Sequence, residues 1–528
     1  MLLLQANTTS LINVSDLLLI APELILTAFA CVALVMEVIL PYRKSKLTAY
    51  VSLIGVALAF ISLGVQWYYM GPSLPFDGFY GMVRIDGSAL LFKAMFLLAA
   101  GLAIGISTRY LDIEGEQHGE YYSLILFATV GMMFIACGYD LISLYISLEL
   151  MALTFYVLVA FTKREKRSNE AAMKYFLLGA FSSGVLLYGM SLLYGVAGST
   201  NLGAIGSSLN ELMPRIQGAI QAANMPGGIP DQIADLRPML LLAMIALGAG
   251  LFFKVAAVPF HMWAPDVYEG APTSVTAFLS TGSKAASFAL YFRIFSEALA
   301  GMRADWAPLL GLVAAITIMV GNWAAVTQEN SKRLLAYSSI SNAGYLLLGL
   351  VAHNLYGLIG LIVYLFVYTL MNMGAFGVII SLRRRGIIGD NVDDLTGLGQ
   401  KAPVMAAMMS IFMLSLGGLP VTGGFIGKYF LFGGLLQRGK ADNKYWYYVL
   451  AVWAIINTVI SFYYYFRFIK VMYLGDRVAD NKPLALSPAL QTALFVSVIG
   501  VLAIGVYPHP LVKMTQDLVI ASFGTMFR

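Results

Sequence analysis

The amino-acid sequence predicts an all-α integral membrane protein. Of its 528 residues, 59% are hydrophobic and only 12% are charged, and the mean hydropathy is +0.78. A water-soluble core cannot bury that much apolar surface, so the chain needs lipid. The apolar residues also fall into long runs, and helices are the form in which such runs satisfy their backbone hydrogen bonds in lipid.

Fourteen runs reach the roughly 20 apolar residues that cross a hydrocarbon layer of about 30 Å. The first seven predicted spans cover 17–40, 48–68, 88–108, 121–138, 140–162, 171–195 and 238–263. The other seven cover 272–295, 307–327, 333–351, 355–382, 404–436, 446–474 and 489–507. The first sixteen residues contain no Lys or Arg, so we expect the first run to be retained rather than cleaved as a signal peptide.

The loop charges predict the orientation. Connections after odd-numbered spans carry most of the loop lysines and arginines, in clusters such as 163–167 and 383–385. The positive-inside rule places these connections in the cytoplasm and therefore both termini on the periplasmic side. The long connection 197–237 is expected to be at least partly ordered. The connection 383–401 is either a solvated linker or a docking surface for a cytoplasmic partner.

Basic residues close to span ends are expected to snorkel, with their charged groups at the membrane interface. Those to which this applies are Lys93, Arg293, Arg467 and Lys470.

Two predicted spans contain proline and glycine where a regular helix disfavours them. They read GAGLFFKVAAVPFHMWAPDVYEGAP and SLGGLPVTGGFIGKYFLFGG. Pro259 and Pro420 each lack an N–H and open the preceding turn, and Gly423 and Gly424 follow the second proline. In lipid the freed carbonyls need other protein groups or water, so each break predicts a polar cavity.

The two broken spans, the seventh and the twelfth, are five apart, which predicts two inverted five-helix repeats. Residues 1–120 would then form three N-terminal spans, and 476–528 the last span and tail. The repeats would occupy 121–305, with spans 4 to 8, and 306–475, with spans 9 to 13.

Once the snorkelling residues are set aside, five ionisable residues stand out well inside predicted spans or at unusual places in them: Glu149, Lys174, Lys254, Lys284 and Lys428. A charge at the bilayer centre costs about 2.5–3.5 kcal/mol, so such residues usually face a wet cavity and act in ion or proton transfer. The alternative for Glu149 and Lys284 is a static buried ion pair. For Lys174, which lies near its span end, the alternative is snorkelling.

His261 follows the first break by two residues, and its imidazole titrates near neutral pH. It is either a relay group or a satisfied polar side chain. The tyrosines at 463–465 are expected to pack in the core or in an interface.

The sequence offers no site for a cofactor or metal. Cys31 and Cys137 lie in apolar runs without partners at metal or redox spacing, and no nucleotide-binding motif is present. No redox centre is therefore expected on this chain.

These residues resemble the antiporter-like subunit N of bacterial respiratory complex I, the proton-pumping NADH:quinone oxidoreductase. The resemblance lies in FFKVAAVPFHMWAPDVYEGAPTSVTAFLSTGSKAASFAL, KYFLLGAFSSG, SKRLLAYSSISNAGYLLLG and GGLPVTGGFIGKYFLF, which run through most of residues 120–470.

The resemblance implies a proton relay. Glu149 would pair with Lys174 and Lys254, Lys284 would form the central link with His261 on the connecting route, and Lys428 would face the next exit or subunit. Relatives often have histidine in the tenth span, where this chain has Asn342. A titrating link there is not expected.

The resemblance also implies partners and a location. NADH, FMN, iron–sulfur clusters and quinone would be bound by partner subunits of the translocase. The neighbouring membrane subunits would be the antiporter-like subunit M and the small subunits K, J and A, in the lipid of the bacterial inner (plasma) membrane. No nucleic-acid partner is expected.

The mechanism hypothesis is a lysine-centred relay driven by quinone reduction elsewhere in the complex. Because loss of water disfavours the charged form of lysine, a buried lysine can release its proton, and a nearby carboxylate opposes that release. Opening an ion pair from about 4 to about 8 Å changes its energy by roughly 2 kcal/mol at an effective dielectric near 20. The alternatives are a subunit of a multisubunit sodium/proton antiporter or membrane-bound hydrogenase, and a structural scaffold subunit.

Overall fold

The computed structural model describes residues 14–39, 46–223, 233, 235–383, 390–475 and 486–523. Within these ranges the chain is helical apart from one short β-hairpin, as the sequence predicts. The first helices are α1 (Val14–Leu19), α2 (Ala21–Ile39), α3 (Lys46–Met70), α4 (Gly87–Glu114), α5 (Gly119–Cys137), α6 (Leu141–Val159) and α7 (Lys166–Ala197). The middle of the chain forms α8 (Leu202–Ala223), α9 (Leu236–Val255), α10 (Trp263–Gly270), α11 (Thr273–Phe278), α12 (Lys284–Arg293), α13 (Arg303–Val326) and α14 (Ser331–Ala352). The last are α15 (Leu355–Leu382), α16 (Leu398–Lys401), α17 (Pro403–Gly417), α18 (Gly423–Asp442), α19 (Trp446–Leu474), α20 (Pro488–Val506) and α21 (His509–Phe523).

Twelve helices in the described ranges are long and apolar enough to cross a membrane. They correspond to all the predicted spans except the eighth and the twelfth, and the chain is a multi-pass membrane protein. In the eighth, a π-helical turn at Leu279–Ser283 separates α11 from α12, and a second follows at Ile294–Ala298. In the twelfth, α17 and α18 are separated by five residues, 418–422. The count of fourteen spans remains a prediction.

Of these twelve helices, α14 and α15 are the most deeply buried, and they pack on each other at the centre of the bundle. Helices α2, α3, α7, α19 and α20 bury only one side and leave apolar side chains exposed on the other. This is the pattern of a membrane bundle, in which lipid rather than a protein core covers the outer faces.

A two-stranded hairpin marks one end of the bundle, which we call the hairpin end. Strand β1 (Phe76–Gly78) pairs antiparallel with β2 (Val83–Ile85). Val83 also bridges to Gly138 at the end of α5. Helices α4 and α6 therefore begin at the hairpin end, and α5 and α7 end there. We call the other end of the bundle the opposite end.

The long connection after α7 is largely ordered, because α8 occupies much of it, while 224–232 and 234 lie outside the described residues. Parts of the basic connections, at 40–45, 384–389 and 476–485, also lie outside them. The helix α21 was not expected after the last span. It packs on α4, where Gly87 permits the contact: a Cβ there would lie 2.4 Å from the carbonyl oxygen of Leu518.

Two of the four snorkelling predictions are wrong. Lys93 is fully buried, with its ammonium 2.6 Å from the carboxylate of Glu23, and Arg293 is buried against Asp86 at 2.5 Å. A buried carboxylate supplies the counter-charge that water would otherwise provide, so neither side chain needs to reach the interface. Lys470 is exposed, as expected.

Candidate proton path

The first broken span ends and restarts around Pro259. Helix α9 ends at Val255, Ala256 adopts a left-handed conformation (φ 58°), and α10 begins at Trp263. Groups freed by the break find protein partners: Trp263 Nε1 donates to the carbonyl of Phe253 at 2.9 Å, and Val258 N donates to Thr317 Oγ1 at 3.0 Å. The break is therefore stabilised by the packed interior, as a non-helical segment at membrane depth requires.

Lys254 lies in the last turn before this break and is buried between helices. Its Nζ donates to Ser183 Oγ on α7 at 3.2 Å. Close packing of α7 on α9 encloses it: a Cβ on Gly250 would lie 2.6 Å from Leu186 Cβ. The amine therefore faces the protein interior and not the acyl chains.

Glu149 on α6 is near enough to Lys254 for their charges to interact, but the two form no direct ion pair. Its Oε1 is buried and has no hydrogen-bond partner among the described residues. Tyr145, Tyr156 and Tyr175 surround this carboxylate within electrostatic range. An unpartnered buried carboxylate oxygen beside a buried lysine is a place where a proton can be held.

Lys174 lies away from Glu149 and Lys254. Its Nζ is 2.8 Å from Glu170 and 2.9 Å from Asp266, and 43% of its side chain is exposed. Helical side chains lean toward the N-terminus of their helix. Since α6 begins at the hairpin end and α7 at the opposite end, Glu149 and Lys174 lean apart. The structure thus places Lys174 in an ion pair with Asp266 and not with Glu149.

Asp266 also accepts from Arg333 Nη1 at 2.9 Å, and the same nitrogen contacts Glu269. These residues, with Arg167 and Glu170, line a cavity of about 220 Å³ at the opposite end. Three basic and three acidic side chains therefore surround an opening between α7, α10 and α14. Nothing in the spacing along the sequence indicated that Asp266 would be the partner of Lys174.

His261 lies within the break between α9 and α10 and is partly exposed. Its Nδ1 is buried and has no hydrogen-bond partner in the described part of the chain. The structure therefore leaves one imidazole nitrogen free to exchange a proton, without linking it to Lys254 or Lys284 by a direct hydrogen bond.

Lys284 is the first residue of α12, directly after the π-helical turn. It is 2% exposed, and its Nζ donates to the backbone carbonyl of Ser339 on α14. Ser339 Oγ in turn accepts from Tyr368 at 2.8 Å and lies 3.4 Å from the hydroxyl of Tyr268. π-Helical turns frequently occur at functional sites, where they reposition one side chain.

Asn342, one turn further along α14, is part of a buried network of amides and hydroxyls. Tyr364 donates to Asn342 Oδ1 at 2.6 Å, which directs Nδ2 toward Ser338 and Tyr465, each at 3.4 Å. The hydroxyls of Ser338 and Tyr465 are 2.5 Å apart. The amide of Asn342 is thus held in place by hydroxyl groups.

The network continues across α13 and α19 toward Lys428. The ring of Tyr464 lies 4.4 Å from that of Tyr465, and its hydroxyl donates to Asn322 Oδ1 at 2.9 Å. Asn322 Nδ2 lies 3.4 Å from the hydroxyl of Tyr345. The Nζ of Lys428 is 4.8 Å from the centre of the Tyr345 ring.

Lys428 on α18 is held by the second break. Its Nζ donates to the carbonyls of Leu416 and Gly417, the last two residues of α17, at 3.0 and 3.2 Å. Carbonyls at a helix C-terminus have no partner within their helix and carry partial negative charge, which suits a cation. Pro420 lies in the segment between the helices, and Gly424 allows them to meet, since a Cβ there would lie 1.8 Å from Ser415 O.

Several residues of this network were missed by the sequence analysis. The tyrosines at 463–465 were expected to pack in the core or in an interface. Tyr464 and Tyr465 are buried in the core, as expected, but their hydroxyls are also hydrogen-bonded, whereas Tyr463 is 67% exposed. The usable signal was chemical: a tyrosine buried in a membrane bundle needs a partner for its hydroxyl. The identity of that partner depends on the packing of distant helices.

Comparisons with known proteins agree with this arrangement. Residues 138–461 match the family described as "NADH:quinone oxidoreductase/Mrp antiporter, TM". The chain is 48% identical to NADH-quinone oxidoreductase subunit N 1 of Koribacter versatilis, with 97% of each chain covered. It is 41% identical to subunit N of Trichlorobacter lovleyi, with 98% of this chain and 99% of the relative covered.

Solved structures show the same fold. A chain of respiratory complex I from Thermus thermophilus with bound aureothin matches with a TM-score of 0.74 at 31% identity, covering 93% of this chain and 98% of that one. A chain of the Mrp complex from Dietzia sp. matches with a TM-score of 0.79 at 19% identity, covering 97% and 98%, which shows the fold alone.

The family match and the shared fold of these relatives define an antiporter-like membrane protein. More narrowly, the chain belongs to the family of NADH-quinone oxidoreductase subunit N, the proton-translocating membrane subunits of respiratory complex I.

Proposed function

We propose that this chain carries protons along a path of buried groups, from Glu149 and Lys254 through Lys284 to Lys428. The observation that carries the proposal is the placement of all three lysines: each amine is buried in the protein interior, and two of them lie beside breaks in their helices. Buried charges of this kind are costly and usually serve ion transfer.

Lys254 and Glu149 would load the path. Because Glu149 and Lys254 form no direct ion pair, the protonation of the buried lysine depends on how close the carboxylate is. Approach of the carboxylate favours the charged form of the lysine. A change in separation of a few Å alters this interaction by about 2 kcal/mol at an effective dielectric near 20, which suffices to load or unload the lysine. His261, with its free Nδ1, is the nearest imidazole to the break and would serve the step toward Lys284.

Between Lys284 and Lys428 the proton would pass along hydroxyls and ordered water. Asn342 does not titrate, so it would orient the hydroxyls of Tyr364 and Tyr465 and carry no proton itself. The ammonium of Lys284 releases the proton and becomes a neutral amine, and the neutral amine of Lys428 receives it. Carbonyls of the second break then hold the charged ammonium.

Lys174 would act at the opposite end and not in this path. Its pairing with Asp266 and Glu170 places it beside a charged opening that is accessible to water. Partly exposed ion pairs contribute little to stability. The cluster would therefore act on proton uptake, through the electric field of its charges, more than on the stability of the fold.

Further features of the proposal follow from the charge bias and from the family. Interrupted segments α11–α12 and α17–α18 would complete fourteen spans, with two inverted five-helix units at 121–305 and 306–475. The hairpin end, with both termini, would face the periplasm of a bacterial inner membrane. The first 120 residues and the segment 476–528 would flank the two units.

The driving reaction would take place on partner subunits. NADH, FMN, iron–sulfur clusters and quinone would be bound there, with no redox centre on this chain. The membrane neighbours would be the antiporter-like subunit M and the small subunits K, J and A. The similarity to a chain of complex I from Thermus thermophilus supports such an assembly.

Replacing Lys284 with Met tests the proposal. Met keeps much of the side-chain volume and removes the amine, so the complex is expected to assemble and to lose NADH-driven proton pumping in membrane vesicles. Lys470→Met, at an exposed lysine on α19, is the matched control and should pump normally. Assembled Lys284→Met complex that pumps at the parental rate and stoichiometry would exclude a role for this lysine.

A further inference from the structure

A second set of buried ionic groups lies at the hairpin end, apart from the path described above. Its innermost members are Glu23 on α2 and Lys93 on α4, both with 0% of the side chain exposed and 2.6 Å apart. Glu23 precedes the region matched by the antiporter family, and so does Lys93. The three N-terminal helices therefore bring a titratable pair of their own into the bundle.

One oxygen of this pair is unpartnered. Glu23 Oε1 contacts Lys93 and lies 3.8 Å from Cys137 Sγ, whereas Oε2 is buried and has no hydrogen-bond partner in the described part of the chain. A proton could therefore bind Oε2 while Oε1 keeps its contact with the ammonium. Replacing a buried ion pair with uncharged residues of similar size is often neutral or stabilising, so stability alone does not explain the pair.

Arg293 continues the chain of charges toward the surface. Its guanidinium contacts Asp86 at 2.5 Å and Glu297 at 2.8 Å, and it also donates to the carbonyl of Ala136, the neighbour of Cys137. Asp86 caps the N-terminus of α4, seven residues or about 10 Å from Lys93. The two clusters thus share α4 and the end of α5.

Exposure increases steadily along these groups. The side chain of Glu297 is 8% exposed, that of Arg84, 3.8 Å from Glu297, is 25% exposed, and that of Asp77, 2.6 Å from Arg84, is 47% exposed. We call Glu23, Lys93, Asp86, Arg293, Glu297 and Arg84 the hairpin-end ion chain. It leads from a fully buried pair to the surface loop of the hairpin.

The inner end of this chain lies at a depth similar to that of Lys284. Lys284 and Arg293 are nine residues apart on one helical segment, which is about 14 Å, whereas Lys93 is about 10 Å from Asp86. Since Arg293 contacts Asp86, the backbone positions of the two lysines differ in depth by about 3 Å, or about half a helical turn. Helix α12 packs on both α4 and α5. Tyr291, two residues before Arg293 on α12, has a buried hydroxyl with no partner among the residues described.

We propose that the hairpin-end ion chain is the route by which this subunit itself releases protons at the hairpin end. This inference rests on the proposed function of Lys284. Lys284 is then a branch point: a proton that is not passed to Lys428 leaves the Lys284 ammonium, which becomes a neutral amine, and binds Glu23 Oε2, which becomes a neutral acid beside Lys93. It then moves through the carboxylates of Asp86 and Glu297 to water. Arg293 and Arg84 stay charged throughout and hold these carboxylates in place.

A double substitution, Glu23→Gln with Lys93→Met, separates this role from a structural one. It removes both charges and keeps the volumes close, so a merely structural pair predicts an assembled complex that pumps normally. A proton-release role predicts an assembled complex with slower proton release, by about 100-fold for loss of a proton-transfer group. The measurement is the rate of NADH-driven proton pumping in membrane vesicles, together with the number of protons pumped per NADH oxidised.

The control is another ion pair at the same end, Arg237 with Asp305 at 2.6 Å, which contacts none of the chain's members. Arg237→Met with Asp305→Asn should pump normally. Should Glu23→Gln with Lys93→Met fail to assemble, Glu297→Gln provides the second test: an amide keeps an acceptor for Arg293 and cannot take the proton. It should also lower pumping.

Lys284→Met, measured in parallel, separates the two proposals. Loss of pumping in Lys284→Met and in the ion-chain variants supports both. Loss in Lys284→Met with parental pumping rate and stoichiometry in the double variant, or in Glu297→Gln where the double variant does not assemble, overturns the release route and leaves the relay intact. Parental pumping in Lys284→Met overturns both.

Discussion

Removal of a single hydroxyl, by Tyr364→Phe, tests the link between the two central lysines. This hydroxyl donates to Asn342 Oδ1 at 2.6 Å and so fixes the amide whose nitrogen faces Ser338 and Tyr465. Phenylalanine leaves Oδ1 buried without that donor, at a cost of about 1–3 kcal/mol. Because each 1.36 kcal/mol is a factor of ten, proton transfer through this network should slow by about 5- to 150-fold.

The assay is NADH-driven acidification of everted membrane vesicles, with NADH oxidation recorded in the same sample. Tyr463→Phe is the matched control, because that tyrosine lies on the same helix as Tyr465 but is largely exposed. We expect pumping to fall in Tyr364→Phe and to be unchanged in Tyr463→Phe. Parental pumping in assembled Tyr364→Phe complex would refute the reasoning that buried hydroxyls connect Lys284 to Lys428.

Two further substitutions test the second break and the charged cavity. Gly424→Ala should prevent assembly or lower pumping, because its Cβ would lie 1.8 Å from Ser415 O. Gly433→Ala on the same helix should be tolerated, because the nearest atom to its Cβ would be 3.7 Å away. The measurements are the yield of assembled complex and its thermal stability. Equal yields for the two variants would contradict the packing argument. Asp266→Asn should change complex stability by only about 0–1 kcal/mol, because its pairing with Lys174 is partly exposed, and its effect should appear as slower proton uptake. A loss of assembly in Asp266→Asn would show that the cluster is a structural clamp.

Much of the fold could be predicted from the sequence, because lipid imposes simple requirements. Runs of about 20 apolar residues indicated the helices, and proline with glycine indicated where two of them are interrupted. Helix α21 was missed because it follows the last span and mixes apolar with polar residues, so it does not form an apolar run of spanning length. The π-helical turn before Lys284 has no distinct sequence signal.

Interactions between distant helices could not be predicted in the same way. Proximity to a span end suggested snorkelling for Lys93, but its partner Glu23 is 70 residues away, and only the packing of both α2 and α4 against α5 brings it close. Likewise, family resemblance pairs Lys174 with Glu149, whereas the lean of helical side chains directs it to Asp266. Burial of a charge depends on its counter-charge, and that is a tertiary property.

The central claim is that Lys284 and Lys428 act in series on one proton path. The most direct test is a double-substitution cycle of Lys284→Met and Lys428→Met, with pumping stoichiometry measured in vesicles for each single variant and for the double variant. Groups that act as a unit are strongly non-additive. We predict that the double variant loses no more pumping than the more impaired single variant. Two independent losses that multiply in the double variant would contradict a single path.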